Sequence, residues 1–110
     1  MFYKYKANVI SVYDGDTITC NIDLGFGIII KKQKIRLYGI NTPELRGDDK
    51  EKEKGIIARD KVRELINGKE IILQSIKDKK GKYGRWLGII YINNININDW
   101  LIENNYAVKY

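Results

Sequence analysis

The pattern of apolar and polar positions divides the chain into short extended runs around one helical segment. Residues 4–13 are extended in character and partly β-branched. Residues 16–24 alternate cleanly, with Ile18, Cys20, Ile22 and Leu24 on one face and Thr17, Thr19, Asn21 and Asp23 on the other. A period of two predicts a half-buried strand. Between these runs lies Asp14-Gly15-Asp16, a tight turn whose glycine tolerates positive φ. Gly25 and Gly27 mark the turn before a third strand over residues 28–38.

From Glu51 the period changes. Ala58, Val62, Leu65 and Ile66 fall at helical spacing, while Arg59, Asp60, Arg63 and Glu64 lie off that face. Asn67-Gly68 closes the run, so an amphipathic helix of about 14 residues is predicted. Strands over 70–76 and 86–92 follow, then a turn at Asn93-Asn94. A short helix begins near Asn98, with Trp100 and Leu101 facing inward. Five short strands with a helix between the third and fourth is the chain order of an OB-fold barrel. The predicted class is therefore mainly β with helices (α+β), a single domain over residues 1–110.

Composition narrows the chemistry. The 110 residues contain no histidine and one cysteine. Imidazole bases, Ser-His-Asp or Cys-His nucleophile systems and Cys/His zinc sites are excluded. Cys20, on the apolar face of its strand, reads as a small buried hydrophobe. No signal-peptide run or membrane span is present, so a cytoplasmic protein with no membrane association is expected, and a secreted one if a leader has been removed. The net charge of +6 points to a polyanionic partner through one segment, Lys77-Asp-Lys79-Lys80-Gly-Lys82-Tyr83-Gly-Arg85. Its five positive residues, two glycines and tyrosine suit a sugar-phosphate backbone, with Lys79, Lys80, Lys82 and Tyr83 as contacts. On composition alone the segment is equally a solvated hairpin connection.

Three clusters carry candidate chemistry. Asp14-Gly15-Asp16-Thr17 pairs carboxylates at a strand start, where they can hold a hard cation, although alone it reads as a hairpin turn. Arg36 lies in a strand opposite Ile35 and Leu37, and is followed by Asn41-Thr42-Pro43-Glu44. Pro43, the only proline, stiffens a loop presenting several oxygens. Tyr83-Gly84-Arg85 offers a second guanidinium, and two such forks match a phosphate. A cation site, a carboxylate and two arginines are together what phosphodiester hydrolysis requires. Positive charge neutralises the diester and its more highly charged transition state, and the carboxylate handles the attacking water.

These three clusters, in this order and at this spacing, resemble the staphylococcal nuclease (thermonuclease) family over residues 6–110. The resemblance implies an OB-fold, calcium-dependent nuclease hydrolysing DNA and RNA with little sequence preference, single strands favoured, and leaving 3′-phosphate ends. It implies that Asp16 binds Ca²⁺ directly with Asp14 behind it, and that Asn41 and the Thr42 carbonyl add ligands. Glu44 acts on the water, Arg36 and Arg85 clamp the scissile phosphate, and Lys82 and Tyr83 hold a neighbouring one. The chain departs from the prototype in carrying Asn41 where the prototype has Asp, which predicts weaker calcium affinity. It also ends at Tyr110, where the prototype continues into another helix. Packing of Trp86, Trp100 and Tyr106, or dimerisation, is expected to substitute; a monomer or weak dimer follows. The alternative is a non-catalytic OB module that binds nucleic acid or protein. The joint presence of Asp16, Arg36, Glu44 and Arg85 favours catalysis, because a binding module does not need all four.

Overall fold

A computed structural model describes residues 3–80 and 85–110, and the side chains of residues 77–80 are not described. The elements run β1 (Lys4–Asp14), β2 (Thr17–Gly25), β3 (Ile28–Leu37), β4 (Ile40–Asn41), α1 (Asp49–Ile66), β5 (Glu70–Lys80), β6 (Trp86–Ile92), β7 (Ile95–Asn96), α2 (Ile97–Glu103) and β8 (Val108–Lys109). Strands β3, β2, β1, β5 and β6 pair antiparallel in that order. A parallel contact of Ile35–Leu37 with Trp86–Gly88 closes the sheet. The result is the five-stranded barrel of an α+β OB-fold. No described helix is long and apolar enough to cross a membrane.

The barrel interior takes one side chain in two from each strand. Ala7 and Val9 point inward, then a bulge between Val9 and Ser11 shifts the register. Consequently Val12 is buried where simple alternation would place Ser11, while Ile10 stays outward. Ile18, Cys20 and Ile22 line the interior as the alternation predicts, and burial pushes the Cys20 thiol up to about 12. Leu24 does not join them. It is exposed, together with Phe26, Ile28, Ile29 and Ile30, because the end of the β2–β3 hairpin extends beyond the barrel.

Helix α1 closes one end through Ala58, Val62 and Ile66. It spans 18 residues, starting two residues before the predicted point, because Asp48 caps it by accepting the Glu51 N–H at 2.8 Å. The first turn is charge-dense and shows no apolar period, so the pattern alone missed it. Helix α2 buries Leu101, while Trp100 is partly buried and stacks on Tyr106 with ring centroids 5.8 Å apart. Trp86, at the start of β6, is 40% exposed.

Buried Asn98 ties α2 to the barrel. Its amide donates to the Tyr38 and Gly88 carbonyls at 2.9 and 3.1 Å and accepts from the Ile90 N–H at 3.2 Å. Two short pairings escaped the sequence pattern. β7 returns onto β6 through Asn93 and Asn94, both at positive φ, and β8 pairs with β4.

Candidate active site

The site forms where the β1–β2 turn meets the end of β3 and the loop after β4. Asp14 ends β1 and accepts the Asp16 N–H at 3.0 Å, which fixes the turn. Asp16 is 8% exposed. Its Oδ1 accepts the Thr17 hydroxyl at 3.3 Å, and its Oδ2 accepts the Thr42 N–H at 3.1 Å. One carboxylate thus stitches the turn to a loop 26 residues away. Gly15 permits this approach. Its φ is not positive, so conformational freedom is not what the position uses. A Cβ there would lie 2.7 Å from Thr42 Cγ2 and 2.9 Å from both Cβ and Oγ1, so the turn and the Thr42 loop pack backbone to side chain with no room between.

Arg36 leaves β3 on the face opposite the buried Ile35 and Leu37. Its Nη1 donates to the Leu37 and Ile40 carbonyls, each at 3.0 Å, and its Nη2 donates to Asn41 Oδ1. Nη2 also lies 3.5 Å from Asp16 Oδ2, and the guanidinium sits over the Tyr110 ring at 5.2 Å. Arg85 arrives from the other side, its Nη1 donating to Thr17 Oγ1 at 3.1 Å. The two guanidiniums therefore reach the same Asp16-Thr17 step, from β3 and from the start of β6.

Glu44 is exposed in the loop following Thr42, in the wall of a groove of about 630 Å³ that Asn41 and Thr42 share. Gly55, inside α1, holds that loop in place. A Cβ on it would come within 2.7 Å of the Glu44 carbonyl oxygen and 2.8 Å of that of Pro43. Gly55 was absent from the sequence-derived site. Its signal was a glycine on the inward stripe of a helix, a position that costs stability unless another backbone needs the space.

Lys79 and Lys80 fall within β5 as backbone, so the basic segment is extended at least that far and is not all loop. Their side chains, and Lys82 and Tyr83 entirely, lie outside the described residues.

The available donors for a cation are oxygens: two carboxylates, the Asn41 amide oxygen and the Thr42 carbonyl. Among the described residues no group of three or more His, Cys, Asp or Glu side chains forms a metal-ligating cluster. The charged form of Asp14 is disfavoured here. Burial and then the neighbouring Asp16 push the Asp14 carboxyl up to about 6. A hard, oxygen-seeking divalent ion matches that donor set and would offset the repulsion. Asn41 Oδ1 already accepts from Arg36, but an amide oxygen has two lone pairs and can serve both partners.

An OB-fold barrel with paired acids and two arginines converging on its β1–β2 turn defines the class. The chain belongs to the staphylococcal nuclease homologue family, whose match covers residues 34–110. It is 32% identical to an uncharacterized protein of Methanocaldococcus jannaschii, over 96% of this chain and 59% of that protein. It is 29% identical to the thermonuclease of Staphylococcus hyicus, over 90% of this chain and 56% of that enzyme. A probable staphylococcal-like nuclease of Oryza sativa subsp. japonica is 31% identical over 82% of this chain and 21% of its own length. The chain thus spans about half the length of the first of these relatives and of the thermonuclease, and much less of the rice protein.

Proposed function

We propose that the protein is a Ca²⁺-dependent phosphodiesterase that cleaves DNA and RNA, single strands favoured, with little sequence preference, and leaves 3′-phosphate ends. The observation that carries this reading is the convergence of Arg36 and Arg85 on the Asp16-Thr17 step, beside a second carboxylate and with Glu44 on the adjoining loop. Membership of a nuclease family and similarity to a thermonuclease support the same conclusion.

In this reading Asp16, the Thr42 carbonyl and Asn41 hold the calcium ion, and Asp14 fixes Asp16 through the turn. When bound, the ion supplies positive charge to the phosphate and lowers the cost of the additional negative charge. Arg36 and Arg85 bind the same phosphate from two sides and stabilise its five-coordinate transition state. Glu44 orients a water and takes its proton. The water oxygen bonds to phosphorus as the bond to the 5′ oxygen breaks. That oxygen leaves as a 5′-hydroxyl after gaining a proton, and the phosphate stays on the 3′ side.

One observation favours the rival, a binding-only module. Arg36 already satisfies two backbone carbonyls and Asn41, so it has a structural role independent of any substrate. End-labelled single-stranded DNA decides between them. Calcium-dependent fragments that polynucleotide phosphatase treatment converts to 3′-hydroxyls support the enzyme. Intact DNA that is nevertheless bound supports the module.

A further inference from the structure

A second groove, of about 590 Å³, lies between the β1–β2 wall of the barrel and helix α1. Its lining includes Lys34, Arg59, Arg63 and Arg85 and, among the described residues, no carboxylate. The groove beside Glu44 is different, mixing Glu44, Asp48 and Glu51 with Lys50 and Lys54. Thr17 lies in the wall of the cationic groove while touching both Asp16 and Arg85, so the groove opens directly from the candidate catalytic step.

We propose that this groove holds a phosphate adjoining the one being cleaved, other than the neighbour that the family resemblance gives to Lys82 and Tyr83, so that the protein grips at least two consecutive phosphodiesters of one strand. The inference rests on the nuclease reading for the identity of the first phosphate, and on the groove itself for the second.

The side chains suit that task. Arg63 is anchored, with Nε and Nη2 donating to the Val12 carbonyl at 3.3 and 3.1 Å, which holds its charge at the groove wall. Arg59 is paired with Asp60 at 3.2 Å, and Arg63 Nη1 lies 3.9 Å from the same carboxylate. Asp60 is more than half exposed. Such surface pairs contribute little in water, so an incoming phosphate can displace or share them at small cost. Lys34 projects from exposed β3 on the opposite wall. Tyr13 is 63% exposed at the rim and offers a ring on which a base can stack. Lys34, Arg59 and Arg63, in a lining with no carboxylate among the described residues, beside hydroxyls and an open aromatic ring, fit a polynucleotide strand better than an uncharged or single-anion ligand.

The test uses Lys34→Ala and Arg59→Ala, singly and together, with Arg59→Lys as the conservative control. None of these positions belongs to the catalytic set. Binding of a fluorescent 12-nucleotide single strand is measured in chelator across a salt series. Each lost phosphate contact should reduce the slope of log K against log salt by about 0.7. We expect the double variant to bind several-fold more weakly with a shallower slope, and Arg59→Lys to recover most of the loss. With calcium, KM for the 12-mer should rise while kcat/KM for a dinucleotide, which has one diester, stays within about twofold. Unchanged slope in the folded double variant, equal losses on dinucleotide and 12-mer, or no binding by wild type would each overturn the groove. Cleavage with an unchanged slope would leave the nuclease and remove the groove; binding with the expected slope change but no cleavage would do the reverse.

Discussion

Gly15→Ala tests how the site is held together. An added Cβ would meet three Thr42 side-chain atoms at 2.7–2.9 Å, closer than packed carbon atoms come. Relief requires either the turn or Thr42 to move. Overpacking of this kind costs about 1–3 kcal/mol. If Thr42 yields, the hydrogen bond from its N–H to Asp16 Oδ2 is strained or lost, and bonds to charged groups contribute about 1.5–3 kcal/mol. The chain takes the cheaper route, so a loss of about 2 kcal/mol is expected. Urea unfolding followed by the fluorescence of Trp100, stacked on Tyr106, measures it. The decisive comparison is a double-mutant cycle with Thr42→Ala, which removes two of the three clashing atoms. The two substitutions should couple by about 1 kcal/mol, the double variant being more stable than the sum of the singles. Additivity within about 0.5 kcal/mol would refute the steric argument, and with it the claim that Gly15 sets the distance between Asp16 and the Thr42 loop.

Asn98→Ala should lower stability by about 3 kcal/mol, because it strips hydrogen bonds from Tyr38, Gly88 and Ile90 in a buried setting; a loss under about 1 kcal/mol in urea unfolding would contradict this. Asn41→Asp should tighten calcium binding in calorimetry by adding a third carboxylate to the site, and unchanged affinity would count against Asn41 as a ligand. Asp14 titrates near 6 in the folded protein against about 3.8 ordinarily. The raised value means that the contribution of Asp14 to stability is fully present below about 4 and is lost as pH rises through 6. Unfolding in chelator should show that decline, Asp14→Asn should flatten it, and an identical slope in both proteins would show that another group is responsible.

Much of the barrel was legible because its strands are half-buried and alternate. Ile18, Cys20 and Ile22 announce their face, and Ala58, Val62 and Ile66 announce the helix. The misreadings have local causes. Leu24 continues the alternation past the point where the barrel ends, and a period carries no information about where its partner surface stops. Val12 turns inward where alternation from Ala7 and Val9 would place Ser11, because a bulge is a property of pairing between strands. The start of α1 is set by one Asp48 hydrogen bond within a charged stretch. The pairs β4–β8 and β6–β7 involve two-residue strands, too short to show any period.

The site divides in the same way. Asp16, Arg36 and Arg85, singled out by their chemistry and spacing, are brought together by the fold. Gly15 reads in the sequence as a turn residue, and the close approach of Thr42 that it permits is visible only in three dimensions. Gly55 was missed because its contact, the backbone of Pro43 and Glu44, is visible only in three dimensions. The engagement of Arg36 with the Leu37 and Ile40 carbonyls was equally hidden. It predicts that Arg36→Ala weakens the fold as well as any catalysis, so Arg85 and Glu44 are the cleaner positions at which to probe function.

The central claim is that this site hydrolyses phosphodiesters with calcium. The most direct measurement compares wild type, Glu44→Gln and Arg85→Ala on single-stranded DNA, with Ca²⁺ and with chelator, after confirming equal folding. The account predicts calcium-dependent cleavage by wild type, abolished by chelator and reduced at least 100-fold, on the order of one lost transition-state contact, in each variant. Equal cleavage by all three proteins, or cleavage that persists in chelator, would contradict it.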